Sequence, residues 1–374
     1  MLPAAPFASP SLGDVLASAF AAVCGDDSAL ALPPVRSAAV VLVDGLGTQP
    51  LTARSGHARH LVSALPGRRG VIRAPFPTTT AAALATLTTG RAAGEHGLVG
   101  YSAHDVANSR ALNLLTGWDA QADPERWQAE QTLFERAAER GVEPIVVASR
   151  EYATSGFTRA TLRGARFIPS DTIAERLAIT RALLAEDAPR LVYTYIPELD
   201  KAGHRYGVSS DAWTHRLEEL DAALREPIAP AGTGALLTAD HGMLDVAPHA
   251  RRVIAANDEL WRGVRLVAGE PRCLQLVAET PADVDAIAER WRAREGGRAW
   301  VATRAEAIEA GWFGPVAPQI VERIGDVLVA ARAAVAYYDA RTATEHALAM
   351  VGQHGSFSDA ETRIPLARFG AFAL

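Results

Sequence analysis

Four short runs of β-branched and other apolar residues constrain this chain more than anything else in it. AAVVLVDGLG (38–47), EPIVVA (143–148), RLVYTYIPELD (190–200) and GALLTADHG (234–242) each have the length of one strand. None alternates apolar with polar residues as a strand with one wet face would. They read instead as strands buried on both sides, the habit of a parallel sheet. Helical patterns fall between them, over 12–23 with Ser11 as a possible cap, 49–64, 127–140, 171–187 and 210–225. Val71–Ala74 adds a short strand, and the polar stretch 102–123 reads as a loop. Strand alternating with helix predicts an α/β fold, a mostly parallel central sheet flanked by helices.

The pattern changes after residue 250. RCLQLVAE, a helix from Pro281, RAWVAT and a helix near 304–310 predict a small α+β insertion over 251–320. The core is then 1–250 plus 321–374, with its strands resuming in DVLVAARAAVAYYD (326–339).

Ligands of open parallel sheets lie at the carboxyl ends of the strands. Three of the four apolar runs end there in ionisable groups: Asp44, then Asp200 with His204, then Asp240 with His241. A fourth cluster, GQHGS, sets His354 between glycines. An Asp after a strand is by itself a common turn residue. Asp200 and His204 say more, because groups four apart share one helix face and can share a metal ion. Three Asp and three His make two N/O donor sets suited to zinc, with manganese or iron also fitting.

The stretch FPTTTAAALATLTTG (76–90) predicts a helix that opens on threonines after a proline and stops at Gly90. A hydroxyl at that start sits at the positive end of the helix dipole. The run of alanines allows close backbone packing beneath a site.

Composition narrows the rest. Hydrophobic residues at 49% and charged ones at 21% are ordinary for a soluble enzyme. A net charge of −6 gives no reason to expect a nucleic-acid polymer as partner. Cys24 and Cys273 are too few for a disulfide framework or thiolate metal site. No basic segment precedes the first apolar residues and no uninterrupted apolar span reaches ~18 residues, so no membrane segment is expected and cytoplasm is the default location.

VLVDGLG, PTTT…TTG…EHG, ELDKAGHRYG, TADHGM and GQHGS, in this order, resemble the alkaline phosphatase superfamily, and within it the type I phosphodiesterase/nucleotide pyrophosphatase family. The resemblance runs from Val40 to His354 and leaves the insertion unmatched. It implies an alkaline-phosphatase-like core and a hydrolase of phosphodiester or nucleotide pyrophosphate bonds in small molecules. It implies Thr80 as nucleophile, forming a phospho-threonine intermediate. It puts one metal on Asp200, His204 and His354, and the other on Asp44, Asp240 and His241 with Thr80 as a further ligand. Where relatives hold a phosphoryl oxygen with an asparagine this chain has Tyr101, so Tyr101 or Asn113 is expected to take that role. His96 matches a family position that is not a ligand and is expected to be structural. A phosphonate C–P hydrolase of the phosphonoacetate type and a non-catalytic metal-binding relative are the alternatives. A sulfatase is disfavoured, since neither cysteine lies in the small-residue helix.

Three side-chain sets carry weaker expectations. Lys201, the single lysine, faces either the substrate or solvent; Tyr193 and Tyr195 are expected in the core; and Trp261, Trp291 and Trp312 are candidate walls of a groove for a second substrate arm.

Overall fold

The computed structural model describes residues 2–3 and 10–373. Its central sheet has seven strands in the order Val71–Arg73, Arg363–Gly370, Thr233–Thr238, Ser37–Val43, Arg190–Ile196, Glu143–Ala148 and Arg166–Pro169. Only Arg363–Gly370 runs against the others. All seven residues of Ser37–Val43 are buried, as an unbroken apolar run requires when helices cover both faces. Helix Gly13–Cys24 and helix Ile173–Ala185 each contact this strand. Each fully buried Val or Leu contributes roughly 1.5–3 kcal/mol of transfer free energy, so this strand anchors the main core.

Strand order explains the position of the site. Ser37–Val43 sits between Arg190–Ile196 and Thr233–Thr238, parallel to both, with Leu42 opposite Tyr195 and Thr238. Three neighbouring strands therefore end at one level, and the residues that follow them meet.

Several elements differ from the expected ones. The 49–64 helix is broken into Thr48–Ala53 and Arg59–Ser63, and the 127–140 helix into Pro124–Trp127 and Leu133–Glu139. The expected loop at 102–123 contains an antiparallel hairpin, Ser102–Asp105 with Arg110–Asn113. Strand Arg190–Ile196 stops before Pro197, and both Asp200 and His204 lie on the next helix, Glu198–Tyr206.

The larger correction concerns 326–339. Val327–Ala331 does not resume the central sheet. It lies between Cys273–Ala278 and Ala299–Thr303 in a second, antiparallel four-stranded sheet whose edge is Val264–Glu270. Ala336–Asp339 pairs with Arg251–Ile254 in a separate two-stranded ribbon. Both segments thus pair with strands from the 251–320 stretch and not with the central sheet. The strand that does return to the core is Arg363–Gly370, which the apolar pattern did not reveal.

Candidate active site

Helix Thr80–Thr89 begins just past Thr79, which is extended, and ends at Gly90 in the left-handed region, as the sequence predicts. All ten of its residues are buried. Small side chains make that possible, because a bulkier helix would not fit at this depth. Thr78 does not face the site. Its hydroxyl donates to the Ser356 carbonyl (2.8 Å) and accepts the Gly355 N–H (3.0 Å), tying the threonine segment to the GQHGS loop.

Thr80 Oγ1 lies 3.2 Å from His241 Nε2. The same nitrogen is 3.6 Å from Asp44 Oδ1 and 3.3 Å from Asp240 Oδ2. Gly45 lets these groups converge. Its N–H donates to Asp240 Oδ1 (3.1 Å), its φ is +72°, and a Cβ there would come within 3.1 Å of Asp200. A second group adjoins the first. Asp200 Oδ1 is 3.4 Å from His204 Nε2 and 3.9 Å from His354 Nε2, and the two imidazole nitrogens are 3.2 Å apart. Asp200 and His354 also converge with His241, within 4.8 Å, so the two groups share a boundary. Close backbone approach allows this: a Cβ on Gly352 would be 2.6 Å from the Gly203 carbonyl oxygen.

Hydrogen bonding fixes which ring nitrogen is free. Nδ1 of His204 donates to the Gly352 carbonyl (2.8 Å), that of His354 to the Thr78 carbonyl (2.8 Å), and that of His241 to the Gly242 carbonyl (3.1 Å). Each Nε2 therefore carries its lone pair into the cluster, the tautomer a metal ligand needs. The facing carboxylate oxygens, Asp44 Oδ1, Asp200 Oδ1 and Asp240 Oδ2, are buried without a hydrogen-bond partner. Lone pairs facing lone pairs without donors repel. Burial, then the Asp240 and Asp200 charges, push the Asp44 carboxyl well above the usual carboxylate range, and burial raises that of Asp240. Burial and the neighbouring His241 and His204 push His354 well below the usual imidazole value. The arrangement fits divalent cations, which would satisfy every one of these atoms at once. The Asp44 carboxylate is steadied from behind by the Tyr195 hydroxyl, which donates to its Oδ2.

Thr80, Asp44 and Asp200 open on a cavity of about 380 Å³. Its walls come from Leu84, Leu115, Tyr152, Phe157 and Leu162, with Tyr193, Tyr195 and Lys201 also lining it. Among the described lining residues none comes from the smaller unit, contrary to the expected groove. Trp261, Trp291 and Trp312 are buried, the first two edge-to-face at 5.7 Å and Trp312 against Phe76 at 5.1 Å. A larger depression, about 920 Å³, lies along helix Glu198–Tyr206 and includes neither Thr80 nor any of the six Asp and His residues.

A model of the type I phosphodiesterase/nucleotide pyrophosphatase family matches residues 38–357. The chain belongs to this family. A search of curated proteins found no match. Among solved structures, the chain resembles murine ectonucleotide pyrophosphatase/phosphodiesterase 5, at 16% identity and TM-score 0.67, over 89% of this chain and 88% of that one. An inactive threonine-to-alanine form of the murine protein in complex with AMP is similar at 17% identity and TM-score 0.68, with the same coverage. Phosphonoacetate hydrolase from Sinorhizobium meliloti, in complex with phosphonoacetate, is similar at 18% identity and TM-score 0.69, over 90% and 91% of the two chains. These likenesses establish the alkaline-phosphatase-like α/β fold.

The family member's remaining candidates divide clearly. Tyr101 and Asn113 meet each other, Asn113 Nδ2 donating to the Tyr101 hydroxyl (2.7 Å), but neither lines the cavity. Asn113 Oδ1 accepts the N–H groups of Leu115 and Thr116 and so shapes a turn. His96 is structural as expected: Nδ1 accepts the Leu98 N–H (3.1 Å), so Nε2 donates to Thr86 Oγ1 (3.0 Å), and burial lowers its pKa to about 3. The sequence reading missed the second role of Tyr195. Tyr193 and Tyr195 sit two apart on a strand that ends at the site, and that spacing was the available signal.

Proposed function

We propose that this chain is a two-metal phosphodiesterase that uses Thr80 as its nucleophile. The observation that carries the reading is the convergence of three free imidazole Nε2 atoms and three unpartnered buried carboxylate oxygens beside the hydroxyl at a helix start. Asp200, His204 and His354 would hold one divalent cation, and Asp44, Asp240 and His241 the other, with Thr80 at its edge. Zinc suits this donor set best, with manganese or iron possible. When bound, such ions neutralise charge on a phosphoryl group and favour the ionised form of a coordinated hydroxyl.

The chain's own residues supply the rest. Thr80 Oγ1 gives up its proton as it forms the new bond to phosphorus, and the leaving arm departs with the electron pair of the broken P–O bond and takes up a proton. A water oxygen then attacks the phospho-threonine, returning Thr80 and releasing phosphate ester. The first turn of the Thr80–Thr89 helix places this oxygen where the helix dipole favours negative charge. The apolar walls of Leu84, Phe157 and Leu162 keep bulk water from the reacting arm.

A nucleotide-type diester is the favoured substrate class, in line with the AMP complex of the murine relative. Among the described lining residues there is no arginine to grip the second charge of a monoester bidentately, and the one cation, Lys201, is paired with Glu151. We expect kcat/KM for 4-nitrophenyl thymidine monophosphate to exceed that for 4-nitrophenyl phosphate by about 100-fold, the ~3 kcal/mol of one missing charge-assisted contact. Equal or inverted efficiencies would overturn the diesterase reading. The likeness to phosphonoacetate hydrolase favours a second reading, C–P bond hydrolysis, and release of phosphate from phosphonoacetate faster than either ester is cleaved would establish it instead.

A further inference from the structure

The cavity beside Thr80 is not uniformly apolar. Lys201 Nζ is the only cation among its described lining residues, and a second donor, the Tyr193 hydroxyl, is buried there without a partner. Tyr193 is 1% exposed, its ring packed near Phe134 at 6.2 Å. A buried hydroxyl left unmatched in a cavity wall marks a place built for a polar ligand rather than for packing alone.

Lys201 directly follows Asp200 on the Glu198–Tyr206 helix, so its position relative to the metal-type cluster is set by the rigid helix backbone. Its Nζ lies 2.6 Å from Glu151 Oε1 and 5.4 Å over the Tyr152 ring. Both side chains of the ion pair are more than half exposed, 55% and 56%. A pair of that kind contributes roughly 0–1 kcal/mol, so its carboxylate can be exchanged for another anion at little loss. The identity of the residue also fits. Of 37 Lys and Arg residues this is the one lysine, a compact ammonium on a flexible stem that can turn from Glu151 to another anion.

We propose that the cavity receives the organic arm of the substrate and that Lys201 selects arms bearing a carboxylate or similar anionic group, which displaces Glu151. The proposal rests on the phosphoryl-transfer reading, since the arm enters only from a phosphorus centre placed at Thr80. Lys201 is then a specificity-determining residue, and Glu151 is the internal anion that occupies its ammonium when no ligand is present.

Phenylphosphonate and 4-carboxyphenylphosphonate separate the two ideas, because they share the phosphonate and differ only in the far anion. Their Kd values are to be measured by calorimetry on the zinc-loaded protein. We expect the carboxylated ligand to bind about tenfold tighter, the low end for a charged contact near solvent. Lys201→Gln should bring the ratio to about one, and Lys201→Arg should restore part of it. Glu151→Gln should raise the ratio by removing the competing carboxylate. A wild-type ratio of one, or a ratio unchanged in Lys201→Gln, would overturn the assignment. Failure of both phosphonates to bind would overturn the phosphoryl-site reading and this proposal with it.

Discussion

At the scale of single residues, the threonine segment shows how three chemically identical side chains are given three positions. Thr78 is spent on the Ser356 carbonyl and the Gly355 N–H, and Thr79 is the extended residue before the helix, its side chain making no capping bond. Thr80 alone is beside His241 Nε2 and the cavity. Thr80→Ala should therefore lower kcat by at least about 10³-fold, as loss of a covalent nucleophile does. Its metal content should stay near wild type, whereas Asp240→Asn should lose about one ion per chain and His215→Ala none. Elemental analysis with turnover assays on folded protein decides this. Activity retained in Thr80→Ala would pass the role to another group. The candidate ligands were legible in sequence because each follows an apolar run within a few residues or sits in a Gly-flanked loop. The Tyr195 contact with Asp44 was not, because a tyrosine in a buried strand carries no mark of where its hydroxyl lands.

At the scale of elements, the end of strand Val264–Glu270 in the smaller sheet presses against the core. Glu270 Oε2 accepts the Tyr101 N–H at 2.8 Å, and its Oε1 is buried without a hydrogen bond. Burial pushes this carboxyl up to about 8, partly offset by the Tyr101 N–H and reinforced by Glu361. In the unfolded chain it ionises near 4.5. Between those values the folded state binds more protons than the unfolded one, so stability falls as pH rises through this window. At about 1.4 kcal/mol per unit, the decline amounts to something on the order of 3–5 kcal/mol. Glu270→Gln should flatten it. In urea titrations of the metal-free protein, the variant and wild type should be close near pH 4.5 and the variant more stable at pH 8. Parallel curves across that range would show the carboxyl to be ionised in the fold. The strand itself was visible in sequence only as part of an α+β stretch, and nothing local revealed that its last residue would be buried against the Tyr101 segment.

At the scale of the whole molecule, the two sheets are joined by a buried ion pair. Arg272 Nε and Nη2 donate to the two oxygens of Glu361 at 2.7 and 2.8 Å, and Nη1 donates to the carbonyls of Ala333 and Val335. Both side chains are fully buried. Glu361 also accepts the Ser356 N–H at 2.9 Å, so the pair reaches the loop that carries His354. Removing one partner leaves a buried charge, which costs about 3–5 kcal/mol. Arg272→Met should lower stability by that amount in urea titration, and adding Glu361→Gln should recover a substantial part. No recovery would mean that packing, not charge, holds the sheets together.

The sequence by itself determined the α/β class, the Asp and His residues that are candidate ligands and the helix that begins at Thr80. These are local facts, written as runs, periods and spacings of a few residues. Tertiary structure decided which sheet each apolar run joined. Val327–Ala331 is as apolar as Ser37–Val43, yet it pairs in the smaller sheet, because pairing partners are chosen by packing across the chain rather than by composition. It likewise placed Tyr152, Phe157 and Lys201 around the cavity and withdrew the three tryptophans into the core. Side chains far apart in sequence share a cavity only once the sheet order has brought their loops to one edge.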